Sequence, residues 1–271
     1  MTEPLSPDRL RKLDAFILEL SAEAAAVTLP RFRADTAVEN KGGSAFDPVT
    51  EADRGAEAAI RALIAARFPD HGVIGEEYGA DRPEAEHVWV IDPIDGTRAF
   101  IAGLPVWTTL IALRFQGAPV LGVIGQPYLR EFYVGSPALG SRLVTPDGER
   151  RLEVRPCAGL AEAAIATTDP DLFTGAEGEV WASVRRAARL TRLGCDAYAF
   201  AMVALGTLDL VVESGLKPWD VEAAVPLIEG AGGLVTDWSG QRLGREGGQV
   251  AGAGDPRILR DALPHLRRAS S

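Results

Sequence analysis

The chain has 271 residues, a formal net charge of −10 and 46% hydrophobic residues, enough for one large domain or two small ones. The acidic balance argues against nucleic acid as a partner, because a phosphate backbone needs a basic footprint. No apolar run is long enough to cross a bilayer, and Met1 to Arg11 has no apolar core of a signal peptide, so no membrane partner is expected. Two cysteines, Cys157 and Cys195, form no CxxC pattern and point to a reducing, cytoplasmic setting.

In chain order, Ser6-Pro7-Asp8 starts a helix, with Ser as cap and Pro in the first turn. Leu10, Leu13, Ile17, Leu20, Ala24 and Val27 give it one apolar face, and Pro30 ends it. A polar loop from Asn40 to Pro48 precedes a second helix from about Glu51 to Phe68, stopped by Pro69. The middle is β-rich. Val88 to Ile91 reads as a strand, and Trp107 to Phe115, Val120 to Gln126 and Glu131 to Val134 as an antiparallel meander. Thr145-Pro146-Asp147-Gly148 marks a boundary between an N-terminal α+β lobe, 1–146, and a C-terminal α/β lobe, 147–271, with a cleft between them. Strands are expected near Ala164 to Thr167, Arg189 to Leu193, Leu208 to Glu213 and Leu234 to Asp237. Helices fall near Gly178 to Ala188, Tyr198 to Leu205, Val221 to Ala231 and Pro256 to Arg267.

The chemistry concentrates at Trp89-Val90-Ile91-Asp92-Pro93-Ile94-Asp95-Gly96-Thr97. A buried strand runs into two aspartates held at one spot by a proline-stiffened turn. Two carboxylates forced together repel unless a cation lies between them, and a hard, oxygen-ligated ion such as Mg²⁺ answers that need. Gly96 permits close backbone approach, and the chain after it can start a helix whose free N–H groups face an anion. Metal carboxylates beside an anion cradle suggest phosphate chemistry.

Three further acids join this pair. Glu76, in Gly75-Glu76-Glu77, adjoins the short apolar run Val73-Ile74 and so sits at a strand end, with Glu77 behind it. Asp220 follows Pro218-Trp219 and doubles as the cap of the next helix. In Asp47-Pro48-Val49-Thr50-Glu51-Ala52-Asp53, Thr50 and Asp53 resemble a capping box, which leaves Asp47 for activating water or holding a further metal. His71, His87 and His265 are scattered and read as surface or packing residues.

In order and spacing these motifs resemble the inositol monophosphatase-like superfamily of Mg²⁺-dependent phosphatases, over nearly the whole chain from Asp47 to Gly233. The resemblance implies a layered α-β-α-β-α sandwich, assembled as a homodimer. It implies metal ligation by Glu76, Asp92, Asp95, Asp220 and the Ile94 carbonyl, with two or three Mg²⁺ ions per site and Mn²⁺ as a substitute. It also implies phosphate binding by the Gly96 and Thr97 amides, and water activation by Glu76 and Thr97 with Asp47. The runs Arg98 to Leu113, Gly125-Gln126-Pro127, Arg192 to Tyr198 and Asp209 to Pro218 resemble the histidinol-phosphate phosphatase branch. Trp219 departs from it, standing where that branch has Tyr. Asp95, Gly96, Thr97, Asp196, Glu213 and Asp220 are then the substrate contacts. Asp196 also reads as a helix cap, and Arg192 as a phosphate contact, a dimer contact or a surface strand residue.

The leading expectation is therefore a phosphomonoesterase acting on L-histidinol phosphate in histidine biosynthesis. The alternatives are an inositol monophosphatase or broad sugar-phosphate phosphatase, then a 3′-phosphoadenosine 5′-phosphate phosphatase, and last a non-catalytic metal-binding regulator on the same fold.

Overall fold

The computed structural model describes residues 5–34, 38–40 and 48–270. Two helices open it. α1 (Pro7–Thr28) is capped by the Ser6 hydroxyl, which accepts from the Arg9 N–H, and α2 (Glu51–Arg67) begins at a Thr50–Asp53 capping box. Between them β1 (Val38–Asn40) and β2 (Pro48–Thr50) pair antiparallel. The polar loop expected there, and Asp47 with it, lies at 41–47, outside the described residues.

The first sheet is built from β3 (Gly72–Gly75), β4 (Gly79–Asp81) and β5 (His87–Asp95), then, after the short helix α3 (Thr97–Ile101), β6 (Thr108–Phe115), β7 (Ala118–Gln126), β8 (Glu131–Ser136), β9 (Gly140–Thr145) and β10 (Gly148–Leu152). Its order is β10-β9-β8-β7-β6-β5-β3-β4, antiparallel except for β3 beside β5. The second sheet takes β11 (Ala164–Thr167), β12 (Leu190–Leu193) after α4 (Ala176–Ala187), and β13 (Leu210–Leu216) after α5 (Tyr198–Ala204). Helices α6 (Pro218–Val221) and α7 (Ala224–Gly230) follow, then β14 (Leu234–Thr236), β15 (Gly248–Ala253) and α8 (Pro256–Leu266). The order there is β12-β11-β13-β15-β14.

Side-chain alternation along the strands sets the layers. Trp89 and Ile91 of β5, with Ile111 and Val123, point to one face and meet Leu13, Phe16, Ile17 and Leu20 of α1 and Ile60 and Ile64 of α2. Val90, Leu110, Ala112 and Ile124 point to the other and meet Phe200, Val221, Leu227 and Ile228 of α5 to α7, together with Val211 and Val250 of the second sheet. The far face of that sheet, with Ile165, Leu210 and Val212, is covered by Trp181 and Val184 of α4 and Ile258 and Ala262 of α8. The result is a layered α+β sandwich, helix on sheet on helix on sheet on helix.

Four local expectations need correction. β5 does not turn at Ile91 but continues to Asp95. The Thr145–Gly148 turn is a hairpin between β9 and β10, so the first sheet runs to Leu152 and the change of sheet falls after it, past residue 146. The helix expected from Val221 to Ala231 is broken into α6 and α7. Pro226 explains the break: it has no N–H for a bond back to residue 222, and its ring crowds that carbonyl. β15 was not anticipated; two-thirds of Gly-Gln-Val-Ala-Gly-Ala is glycine and alanine, so it carries little strand signal.

Candidate active site

A cleft of about 300 Å³ opens where the ends of β3 and β5 face α5, β13 and α6. Glu76, Asp92, Ile94, Asp95, Gly96, Thr97, Asp196, Glu213 and Asp220 all line it, so nine of the ten site residues expected from the sequence meet in one place; Asp47, the tenth, is outside the described residues. Arg192 is exposed on β12 and does not line the cleft.

The Asp92–Asp95 pair is made by a bulge. Asp92 stands opposite Leu110 and Asp95 opposite Thr108, so β5 spends three steps where β6 spends two. In a regular strand residues three apart point to opposite faces; one extra residue returns Asp95 to the side of Asp92. Pro93 suits this place, since it has no N–H to offer a ladder, and its carbonyl is taken by the Thr109 hydroxyl at 2.8 Å. The Ile94 N–H turns to Asp92 Oδ1 at 3.0 Å. Asp95 Oδ2 accepts from the Thr108 hydroxyl at 3.2 Å and from the Ala197 N–H at 2.8 Å, which ties the first sheet to α5.

Both aspartates are held well above the usual carboxylate range. Burial is the main cause for each. For Asp92 the neighbouring acids Glu76, Asp95, Asp220 and Asp53 add to it, and for Asp95 the charge of Asp196 does so first. Glu76 follows directly from β3, its N–H bonded to the Ile91 carbonyl at 3.2 Å. Asp220 sits in the first turn of α6 rather than at its cap position, and its Oδ2 accepts the Lys217 N–H at 2.6 Å.

Gly96 begins α3 with φ of 77°, a left-handed conformation that glycine adopts without strain. A side chain there would also meet the Asp196 carboxyl at 3.0 Å. Asp196 itself has φ of 44° and does not cap α5, where Ala197 takes the cap position; its carboxyl lies against the Gly96 backbone instead. Burial pushes Asp196 up to about 6, against the pull of Arg98. Glu213, 2% exposed on β13, is pushed up to about 7, again mainly by burial. The Thr168 N–H at 2.7 Å and the Thr167 and Thr168 hydroxyls at 3.1 and 3.0 Å oppose that rise.

One residue at this site escaped the sequence reading. Asp53, treated there only as a capping residue, is 1% exposed and uses Oδ2 for the Thr50 N–H at 2.8 Å and the Thr50 hydroxyl. Its other oxygen is 3.5 Å from Thr97 Oγ1, which is 3.1 Å from the Ile94 carbonyl. Burial raises the Asp53 carboxyl, the Thr50 bonds oppose this, and Glu76 adds to it. The signal was present in the sequence: a capping aspartate engages one oxygen and leaves the second free for another partner.

Among the described residues no three Asp, Glu, His or Cys side chains already form a closed ligand set. The donor chemistry nevertheless fits a hard divalent cation. The groups are all oxygens, Asp92 is buried and Glu76, Asp95 and Asp220 are half-buried, and the neighbours that most strongly act on Asp92 are themselves acids. A cation between them relieves the repulsion that burial magnifies. The histidines take no part. His71 and His87 stack at 4.6 Å in the N-terminal core, and His265 meets the Ser183 hydroxyl at 2.7 Å. Cys157 is buried, Cys195 half-buried, and both are free thiols.

The chain belongs to the inositol monophosphatase family, a family of phosphatases whose pattern matches residues 9–270. Among curated relatives it is 44% identical over 231 residues to the bifunctional phosphatase IMPL2 of Arabidopsis thaliana chloroplasts, covering 82% of this chain and 66% of that protein. It is 36% identical over 227 residues to the histidinol-phosphatase of Chlorobaculum parvum, covering 83% of this chain and 85% of that one. Among solved structures, an inositol monophosphatase from Zymomonas mobilis superposes with a TM-score of 0.85 at 40% identity, covering 95% of this chain and 98% of that one. No helix of the described residues is long and apolar enough to cross a membrane.

Proposed function

We propose that this chain is a Mg²⁺-dependent phosphomonoesterase that hydrolyses L-histidinol phosphate to L-histidinol and phosphate, a step of histidine biosynthesis. The observation that carries the substrate choice is the composition of the cleft beyond its acids at β5. Asp196, half-buried, and Glu213, buried, line the cleft together with Leu172 and Leu216. Histidinol phosphate presents an amine and an imidazole there. A cationic amine holds both carboxylates ionised against the cost of their burial, and the apolar side chains suit the ring face. A polyol offers no charge to balance a second acid.

The carboxylates of Glu76, Asp92, Asp95 and Asp220 and the Ile94 carbonyl would hold two or three Mg²⁺ ions, with Mn²⁺ as a substitute. Bound there, the metal supplies positive charge to the phosphoryl oxygens and to the leaving alkoxide. The backbone N–H groups of Gly96 and Thr97 orient the phosphate. Water attacks phosphorus opposite the alkoxide, and its proton moves toward Thr97 Oγ1 and Glu76. Asp53, 3.5 Å from that hydroxyl and with its proton affinity raised by burial, is placed to receive it. Asp53 is thus added to the water-activating role expected of Asp47, which lies outside the described residues. A homodimer belongs to the same reading, resting on the family resemblance alone, and a cytoplasmic setting rests on the two cysteines, Cys157 and Cys195.

A second reading, inositol monophosphatase, is favoured by Trp219 and by the Zymomonas mobilis structure. Phosphate release with and without Mg²⁺ from L-histidinol phosphate, myo-inositol 1-phosphate, fructose 1,6-bisphosphate and 3′-phosphoadenosine 5′-phosphate separates the two. Histidinol phosphate is expected to lead by several hundredfold in kcat/KM, about 3–4 kcal/mol of transition-state discrimination. A profile led by inositol phosphate keeps the metal chemistry and discards the histidine pathway. No metal-dependent turnover on any ester leaves a binding protein.

A further inference from the structure

We propose that Glu57, a residue of α2 outside the cleft, is the positioning residue for the Glu76 loop, acting as a template for two consecutive backbone N–H groups beside the metal site. The inference rests on the reading of Glu76 as a metal ligand.

The loop that follows β3 has little of its own to hold it. The N–H of Glu76 bonds to the Ile91 carbonyl on β5 at 3.2 Å, and there the strand pairing ends. The next two N–H groups have no strand partner. Both turn to Glu57: Glu77 donates to Oε2 at 2.7 Å and Tyr78 to Oε1 at 3.2 Å. Glu57 is fully buried, 0% exposed, an expensive place for a carboxylate unless donors surround it. Arg61, one turn further along α2, supplies the compensating charge through Nε at 2.7 Å, and its Nη2 bonds the Gly79 carbonyl that closes the loop.

Gly75 reports how close this fit is. A Cβ at Gly75 would lie 2.0 Å from Glu57 Oε1. The atoms that must give way are the buried carboxylate that holds the loop. Asp53, Glu57 and Arg61 recur at four-residue steps on α2, so one polar stripe of a single helix faces Thr97 at its start, takes the loop amides on a carboxylate in its middle and neutralises that carboxylate at its end. Fixing three consecutive peptide groups removes the backbone freedom that Glu76 would otherwise lose when it closes on a cation.

The test uses the full chain free of metal. Mg²⁺ binding is measured by calorimetry on wild type, Glu57→Gln and Gly75→Ala, with amide hydrogen exchange at Glu77 and Tyr78 as the local readout. Gln keeps the size of Glu57 but turns an N–H₂ toward backbone donors. Each single variant is expected to bind Mg²⁺ about tenfold or more weakly, with faster exchange at those two amides and unchanged secondary structure. Because both variants break one contact, the double variant should bind no more weakly than the worse single one. Mg²⁺ affinity unchanged in Glu57→Gln, or losses that multiply in the double variant, would overturn the inference while leaving the metal site intact. Absence of Mg²⁺ binding by wild type would instead remove the metal reading, and the inference with it. If Glu57→Gln fails to fold, Gly75→Ala decides alone, by the same affinity and exchange criteria.

Discussion

Two sets of buried acids flank the α6–α7 turn, and they are treated in opposite ways. Glu222, 4% exposed, faces Arg114 on β6, whose Nε lies 2.6 and 2.9 Å from the two carboxylate oxygens and whose Nη2 completes a bidentate pair. Asp92 and Asp95, on the neighbouring strand β5, meet hydroxyl and amide donors but act mainly on other acids. The first set carries its own cation and joins the core to the following loop, since Arg114 also bonds the Arg245 carbonyl at 3.2 Å. Among the described residues, the charges that act most strongly on the second set are other acids. A protein tolerates such a cluster at a site that binds something, because bound charge can supply what the fold does not.

The comparison breaks most sharply at Asp95. Asp95→Asn keeps the size of the side chain and its oxygen acceptor but removes one negative charge. Mg²⁺-dependent turnover of histidinol phosphate is expected to fall about 1000-fold or more, in line with the loss of one group that organises transition-state charge. The metal-free variant is expected to unfold at a higher temperature than wild type, because a repulsive buried charge has gone. Lower stability together with full activity would reverse the reading of this set.

The compensated set should answer the other way. Glu222→Ala strands the Arg114 guanidinium in the core, and breaking a buried pair from one side costs about 3–5 kcal/mol. Urea unfolding measures it directly. A loss below about 1 kcal/mol would mean that water reaches Arg114 and that the pair is not buried in solution.

Adding Mg²⁺ sharpens the contrast further. An ion that binds the folded chain alone raises stability by about 2.7 kcal/mol at a hundredfold excess over its dissociation constant. Wild type should show that shift in its unfolding midpoint. Asp95→Asn should show much less of it, and Glu222→Ala should show all of it from a lower baseline.

The divided treatment of these acids was only partly legible in the sequence. Asp92-Pro93-Ile94-Asp95 was legible as a pair because buried aliphatics lead into it and few roles need two acids at that spacing. That the pair is made by a bulge was not, because the register depends on Leu110 and Thr108 of a strand whose pairing no local pattern specifies. Asp53 was hidden by its own capping box: one oxygen explained the residue, and the second finds its partner 44 positions along the chain. The helices α1, α2 and α8 follow from apolar periodicity and their stops, whereas α6 and α7 part at a proline that a periodic reading runs across. Asp196 resembled a cap because caps are the usual use of such a residue before a helix, and only its positive φ and the nearness of Gly96 turn it to the cleft.

The smallest effect concerns a buried base. His71, stacked between Phe68 and His87 and accepting the Trp89 Nε1–H at 3.0 Å, has its pKa pushed down to about 4. Burial is the main cause, followed by the charges of His87 and Arg9, with Asp70 opposing them and Arg82 adding. The unfolded chain takes up the proton near pH 6.5, the folded chain only near 4. Between those values the unfolded state binds more protons, so stability contributed by neutral His71 is present above pH 6.5 and lost as pH falls. The cleft acids act in the opposite sense, since raised carboxylates bind protons more readily in the folded, metal-free chain. His71→Phe separates the two: it removes one titrating base and leaves the acids alone, while its lost hydrogen bond to Trp89 is a cost that does not vary with pH. Between pH 7 and pH 5 wild type is expected to lose about 2 kcal/mol more than His71→Phe, read as the difference in urea unfolding free energy between the two proteins at each pH. A difference that stays constant with pH would show that His71 exchanges its proton freely with solvent. The pH response of the fold would then come from the cleft alone.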